Sequence, residues 1–380
     1  MGAHPRRPAL KTLILKPSSL GDVVQALPVL RMLKRAQPND EFFWWIDSDL
    51  SPLLENDPDL TGLCLFQRRR WASPRYWPEA IASIRQLRAL QFDCVIDLQA
   101  LARSGLLAWL VRAGLSIGLD DAREGASALY DVRIRRPTPD SHAVDWYLEV
   151  LRTLEVPLRW DFEWLPMRQD VAAQLQQKWQ PSGARWIALH PGARWLNKRW
   201  PADYYIALVQ QLARALPGQR FVILGSPSEA PLGQAIAQAS PGVCLDLSGE
   251  TTLLEMVEWL RLCDLLVAND SAPMHIAAAL RKPVVAMFGP TDPRRTGPYR
   301  QVERVLRSPL PCSPCRKSYC LNPRPIECLR LLTPEAVAAA VLERLAPPQA
   351  EHAPLEPDGP LARLNLTHPL RRRETAAAPA

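Results

Sequence analysis

Short apolar runs of strand length interleave with spans of helical period, twice over, and this alternation limits what the chain can fold into more than any other feature. In the first half, strands are predicted over residues 10–16, 41–46, 62–66 and 92–97, and helices over 22–36, 78–90, 103–112 and 142–154. The span 22–36 sets Val23, Leu27, Leu30 and Leu33 on one helical face, with Pro28 expected to kink it or delay its regular start. Residues 155–168 hold Pro157, Trp160, Trp164 and Pro166 without a clean period, which reads as a connection between domains. The alternation then restarts, with strands over 186–190, 220–224, 265–268 and 283–288 and helices over 202–216, 229–239, 253–263 and 271–280. Thr252 and Glu255 make a capping box ahead of the third of these helices. Strands alternating with helices require parallel sheets, here two of them, in an α/β protein. The expected division is a first domain over 10–156, a linker over 157–170, a second domain over 171–346, and a disordered Pro- and Ala-rich tail over 347–380. The run Arg371-Arg372-Arg373 in that tail reads as solvated charge.

Size agrees, since 380 residues are too many for one small core and suffice for two. No apolar run is long enough to span a bilayer. Leu13-Ile14-Leu15 is too short for the core of a signal peptide, so a cytoplasmic location is expected. A net charge of +7 suits anionic partners such as a nucleotide or a lipid head group, and no zinc-finger or RNA-binding signature points to nucleic acid. Of eight cysteines, Cys64, Cys94, Cys244 and Cys263 stand in apolar contexts and read as buried thiols.

Ligands of open parallel sheets sit outside the carboxyl ends of strands, so the residues after each strand are the candidates. Ser18-Ser19-Leu20-Gly21-Asp22 follows the first strand. Its small residues let the backbone turn close to a ligand. Asp22, at a helix start, reads first as a cap on free amides and second as a general base facing a cleft. The second half opens with His190-Pro191-Gly192-Ala193-Arg194-Trp195 and continues through Asn197-Lys198-Arg199-Trp200-Pro201. Three cations crowded on one strand-end loop, Arg194, Lys198 and Arg199, make either a diphosphate site or a solvated basic loop. Asn269-Asp270-Ser271-Ala272-Pro273-Met274-His275 starts a helix whose free amides and positive dipole end would aim at the cleft. His275 there either reaches a ligand or serves as a hydrogen-bonded structural histidine. Gly289-Pro290-Thr291-Asp292-Pro293 closes a further strand. Glu229, after Gly225-Ser226-Pro227-Ser228, either binds ribose hydroxyls or places a favourable charge at a helix N-terminus. No G-x-G-x-x-G follows the first strand, which disfavours a dinucleotide oxidoreductase.

Three stretches, Lys16 to Val24, Pro191 to Pro201, and Asn269 to Pro293 with its Gly-Pro-Thr-Asp-Pro end, resemble those of glycosyltransferase family 9, the lipopolysaccharide heptosyltransferases. So do Ile96-Asp97-Leu98-Gln99 with Arg103-Ser104, and His142-Ala143-Val144-Asp145. The resemblance runs from about Leu10 to Leu345. It implies a GT-B fold of two Rossmann-like domains facing a cleft, with the acceptor mainly on the first and a nucleotide-sugar donor on the second. It implies an inverting transfer, with ADP-heptose as the archetypal donor, to an inner-core sugar or related envelope glycan on a lipid anchor. No cofactor and no metal enter that reaction. By the resemblance, Asp22 is the base, Lys198 neutralises the diphosphate, and Glu229 holds the ribose. Asp270, Ser271 and His275 grip the donor, with Gly192, Arg194 and Ala272 beside them. Ser19, Gly21, Arg103, Arg123 and His142 are candidate acceptor contacts, the last three equally readable as plain surface residues. A lipid-linked acceptor implies peripheral contact with the cytoplasmic face of the inner membrane. A noncatalytic sugar-nucleotide or lipid-binding protein on the same scaffold is the alternative, disfavoured by the intact Asp22 and Lys198.

The chain departs from the family at Ala272, where the family usually has glycine, and a methyl group there alters the fit to the donor. Asp47-Ser48-Asp49 resembles the metal-binding DxD of other glycosyltransferases, but it lies in the first domain and reads as a turn before a helix. Cys312, Cys315, Cys320 and Cys328 are spaced irregularly for a zinc ribbon, and reduced thiols in a loop are favoured over a metal site.

Overall fold

The computed structural model describes residues 8–121, 124–181 and 183–346. Arg123 and the tail read over 347–380 lie outside the described residues. In the first half, β1 (Lys11–Leu15), β2 (Glu41–Asp47), β3 (Gly62–Phe66), β4 (Cys94–Asp97), β5 (Leu115–Leu119) and β6 (Val132–Ile134) alternate with α1 (Leu20–Ala36), α2 (Trp77–Ala89), α3 (Ala102–Val111) and α4 (Ala143–Thr153). The second half holds β7 (Arg185–His190), β8 (Gln219–Ile223), β9 (Cys244–Asp246), β10 (Leu265–Asn269), β11 (Val284–Phe288) and β12 (Leu306–Arg307). Its helices are α5 (Gln169–Trp179), α6 (Ala202–Ala215), α7 (Ala230–Gln238), α8 (Leu253–Leu262), α9 (Ala272–Ala279), α10 (Pro293–Thr296), α11 (Glu327–Arg330) and α12 (Pro334–Leu345).

All strand pairs are parallel, in the orders β3-β2-β1-β4-β5-β6 and β12-β11-β10-β7-β8-β9. Each sheet therefore starts in its middle, builds outward on one side, and crosses to build the other. That reversal leaves a crevice between the loops after β1 and β4, and a second between the loops after β7 and β10.

Helix α1 differs from its prediction in two ways. It starts at Leu20, two residues early, and it runs on through Pro28. The predicted single apolar face is also too narrow, because Val24, Ala26, Val29 and Met32 are buried along with Val23, Leu27, Leu30 and Leu33. The cause is tertiary: α1 packs against α4 on one side and against α9, from the second half, on another. A helix enclosed on several sides has no solvent face to show in its periodicity.

The sequence pattern does not mark β5, β6, β9, β12, α5 or α10–α12. In β5 the run is broken by Ser116 and Gly118, and the glycine is needed because a Cβ there would lie 2.3 Å from a ring carbon of Tyr130. Helix α5 buries only Val171 and Leu175, too few to print a period. The cysteine reading also needs correction. Cys263 is buried, but Cys64, Cys94 and Cys244 are only half-buried. Cys64 and Cys244 lie on the edge strands β3 and β9, and Cys94 opens β4, so each keeps one open side.

The stretch read as a connection buries Phe162, Trp164 and Leu165, and one apolar core runs from Ile14 and Trp44 through Trp164 to Ala268 and Phe288. Trp160, Trp164 and Tyr299 meet with ring centres 5.6–5.9 Å apart. Beneath them the guanidinium of Arg31, on α1, donates to both oxygens of Asp57 (2.6 and 2.5 Å), to Asp59 at 2.7 Å and to the Trp164 carbonyl at 3.0 Å. Removing one partner of a buried ion pair leaves an uncompensated charge, so Arg31→Met is expected to cost about 3–5 kcal/mol of stability. Urea unfolding measures this, and a loss under about 1 kcal/mol would count against the buried network as drawn.

Candidate active site

The loop after β1 is held by Lys16, which is 4% exposed. Its ammonium donates to the Leu98 carbonyl at 2.8 Å, at the end of β4, and lies 4.8 Å over the ring of Tyr147 on α4. The backbone N–H and the hydroxyl of Ser19 both donate to Oδ2 of Asp22, at 2.9 and 2.7 Å. Asp22 is therefore not the cap itself, which is Ser19; it stands in the first turn of α1 and closes a capping box back onto Ser19, which uses one oxygen. The half-buried carboxylate keeps Oδ1 without a hydrogen bond among the described residues. Next to Asp22 in the chain, Gly21 lies against His275 of α9, where a Cβ would fall 2.5 Å from the ring's Cδ2. No other residue type fits there without displacing the ring.

Burial works against the charge on Asp22, yet the Lys16 ammonium, the Ser19 bonds and His275 outweigh it and hold the carboxyl below the usual carboxylate range. Lys16 is desolvated too, but Tyr147, Asp22 and Asp97 hold it above its ordinary value. Burial pushes His275 down to about 4 despite Asp270 and Asp22, so its ring is neutral near pH 7. Its Nδ1 is buried and has no hydrogen-bond partner among the described residues.

In the second half, Lys198 pairs with Oδ2 of Asp270 at 2.6 Å, and the Thr291 hydroxyl donates to the same oxygen. Lys198 also lies 4.7 Å over the ring of Trp195. The two loops are tied together by the wholly buried Asn269, whose amide donates to the carbonyls of Pro191 (2.8 Å) and Gly192 (3.2 Å) and accepts from Trp200 N–H at 3.0 Å. Ser271 precedes α9 at its N-cap, its hydroxyl 3.1 Å from His190 Nδ1, and Ala272 is the first residue of that helix. Glu229 folds over Gly192, where a Cβ would fall 1.8 Å from Oε1. Its Oε2 accepts from Ser226 N–H and hydroxyl at 2.8 Å each, which is the helix-start reading. Arg199 stands 3.8 Å from Oε1 and His190 3.9 Å from Oε2. Burial opposes the Glu229 charge, but Ser226, His190 and Arg199 hold the carboxyl below its usual range, while burial lowers His190.

Gly21, Asp22, His275, Asp270 and Lys198 thus come together, and Gly192, Glu229 and Ser271 gather around His190. Arg194 is exposed and bonds to none of them among the described residues. Arg103 is exposed, 6.0 Å from the ring of Phe66. His142 is no surface residue, at 6% exposure: Nδ1 accepts from Val144 N–H at 3.2 Å and Nε2 donates to the Gly297 carbonyl at 3.0 Å. It is buried because it starts α4 just where the loop after α10 passes. Asp47 accepts from Asp49 N–H at 3.1 Å, a turn as read. Lys16, His190 and Thr291 went without an assigned role in the sequence. Each lies at or just past the end of a strand, which is the signal that could have found them.

The thiols of Cys312, Cys315 and Cys320 are exposed and Cys328 is half-buried. Among the described residues no group of three such side chains stands in an arrangement able to hold a metal ion. Their loop instead braces the site: Asn197 donates to the Lys317 carbonyl at 2.9 Å, Ser313 to Gly289 at 2.6 Å, and Arg316 N–H to Pro290 at 2.6 Å.

Residues 80–325 match the family described as Glycosyltransferase family 9 (heptosyltransferase). The chain belongs to glycosyltransferase family 9. It is similar to Lipopolysaccharide heptosyltransferase 1 of Pseudomonas aeruginosa, 27% identical over 323 residues that cover 82% of this chain and 87% of the relative. The Lipopolysaccharide core heptosyltransferase OpsX of Haemophilus influenzae is 24% identical over 302 residues, 77% of this chain and 83% of its own. Among solved structures, a family 9 glycosyl transferase from Veillonella parvula superposes with a TM-score of 0.73 at 23% identity, over 88% of this chain and 97% of its own. The E. coli heptosyltransferase WaaC with ADP gives 0.71 at 24% identity, over 88% and 100%. The two six-stranded parallel sheets are the family's GT-B fold, and the chain is a glycosyltransferase.

His142, His190 and His275 are all held below their ordinary range by burial. Below pH 6.5 the unfolded chain therefore binds protons that the folded chain refuses, and stability falls as pH drops from about 6.5 towards 4. Stability, read from urea unfolding, is expected to fall between pH 7 and pH 5, and His275→Gln to remove at most about 2 kcal/mol of that loss. An unchanged slope would place His275 in contact with water.

Proposed function

We propose that the chain transfers heptose from ADP-heptose to the inner core of lipopolysaccharide, with inversion and without a metal. The observation that carries this reading is the seat of His275 on Gly21, which sets one neutral ring within electrostatic reach of Asp22 on the first sheet and of Asp270 and Lys198 on the second. The names of the relatives supply the class of acceptor, and one similar solved structure is the heptosyltransferase WaaC with ADP-2-deoxy-2-fluoro heptose.

In this reading the acceptor lies along the loops after β1 and β4 and the donor along those after β7 and β10. Asp22 takes the proton of the acceptor hydroxyl through its unbonded oxygen as that hydroxyl's oxygen attacks the anomeric carbon. The bond from that carbon to the diphosphate breaks on the opposite side, and ADP leaves with the electron pair. Lys198 and the N-terminus of α9 stabilise the charge that develops there. Asp270, itself held by the Thr291 hydroxyl, positions Lys198 rather than touches the diphosphate, because a second anion beside it would repel. Glu229, whose carboxylate is seated in the space that Gly192 leaves open, turns Oε1 to the ribose hydroxyls. A lipid-anchored acceptor places the work at the cytoplasmic face of the inner membrane.

Asp22→Asn keeps the size of the side chain and removes the base. It is expected to lower kcat by about 10²- to 10⁴-fold while the donor KM stays within about twofold. Lys198→Ala is expected to lower kcat by about 10²- to 10³-fold. ADP release from ADP-heptose with a deacylated deep-core acceptor reads both. Full activity of folded Asp22→Asn would defeat the assignment of the base. Because Asp22 and His275 both titrate below the neutral range, kcat/KM in the wild type should show no acid limb between about pH 5.5 and 8.

A further inference from the structure

Helices α2 and α3 pack side by side on the outer face of the first sheet. Their inner seams are ordinary: Ile84 and Leu87, and Leu107, Ala108 and Val111, join the core cluster beneath. Each helix also carries apolar side chains that the fold leaves exposed. On α2, Trp77 and Ile81 are 57% and 49% exposed, one helical turn apart; on α3, Leu106 and Trp109 are 48% and 56% exposed, again one turn apart. Grouped exposed apolar side chains on a protein surface mark a contact.

The charge around these side chains is mostly positive, although the exposed Glu124 accepts from Ala102 N–H at 2.8 Å at the start of α3. Residues 68–112 hold eight arginines, no lysine and three acids. All three acids are engaged: Glu79 pairs with Arg70 at 2.6 Å, Asp97 is wholly buried, and Asp93 accepts from Lys11 N–H at 2.9 Å. Arg85 and Arg88 are exposed, on the same helix as Trp77 and Ile81, and form no ion pair among the described residues. Tryptophan favours the boundary between head groups and acyl chains, and guanidinium favours phosphate. A second copy of the chain suits this face badly, because a twofold contact would press the arginines against themselves. α2 and α3 both begin at the carboxyl end of the sheet, the end at which Asp22 lies.

We propose that the outward face of α2 and α3 docks on an anionic lipid bilayer and so holds the Asp22 end of the first sheet level with a membrane-anchored acceptor. The docking stands on the surface alone; its purpose rests on the transfer reaction proposed above. No helix among the described residues is long and apolar enough to cross a membrane, and the contact is interfacial: two tryptophans enter the head-group layer while the arginines meet phosphates.

The test is flotation of the full chain with vesicles of phosphatidylcholine alone or mixed with phosphatidylglycerol, at low and high salt. Binding is expected on the mixed vesicles, with little on the neutral ones, and is expected to weaken as salt screens the arginines. Arg85→Gln with Arg88→Gln should weaken it roughly twentyfold, and Trp77→Ser with Trp109→Ser about tenfold or more. Both double variants should keep wild-type activity on a deacylated soluble acceptor and lose it on the same acceptor embedded in vesicles. Failure of the wild type to bind mixed vesicles, or equal binding by the variants, would overturn the proposal. So would a dimer in sedimentation that the tryptophan variant dissolves, or preference for nucleic acid over vesicles in direct competition. Vesicle binding that persists while no acceptor of either kind is glycosylated would sink the reaction and leave the docking face standing.

Discussion

The ring of His275 rests on a backbone that has no side chain. Gly21 is the first turn of α1, His275 the first turn of α9, and a single methyl group between them would collide with the ring. Through that contact two helices from different sheets meet by their amino ends. Each amino end follows the central strand at a point where its sheet reverses direction, so the loops that carry charge are brought face to face. The carboxylate of Asp22 and the ammonium of Lys198 owe their common neighbourhood to this one seat.

Around it, charge is arranged by partnership rather than by solvent. Lys16 and Asp22 are both drawn from water, and each keeps the other ionised. Asp270 stands with Lys198 and Thr291, Glu229 with Ser226 and Arg199. The histidines among them are neutral, which lets them pack closely against cations without repelling them. A site built this way holds its dipoles fixed before any ligand arrives, and that fixity is what stabilises charge developing in a transition state.

Much of this was legible in the residues. The strand–helix alternation located the sheets, and the rule that ligands sit at strand ends singled out the loops that hold Asp22, Lys198, Glu229 and His275. What stayed hidden was whatever depends on neighbours distant in sequence. Burial of α1 on nearly every side comes from α9, some 250 residues on, and leaves no amphipathic trace. His142 reads as an acceptor contact or a surface residue and is neither exposed nor free, because its partner, the Gly297 carbonyl, is supplied by the other half of the chain. Glu229 and Asp22 each read as either cap or functional group, and in each the bonds at the helix start fall on a single oxygen. Strands of three residues, such as β6 and β9, are too short to carry any period at all.

The aromatic knot of Trp160, Trp164 and Tyr299 has a consequence for how the molecule responds to its ligands. One apolar core passes through it and links both sheets, beside the core cluster that each half keeps on the far face of its own sheet. Free energy gained where a nucleotide settles on the carboxy-terminal half is thereby shared with the amino-terminal half. Occupancy of one crevice would tighten the walls of the other, and the order in which two substrates arrive would be written into the rigidity of the whole chain.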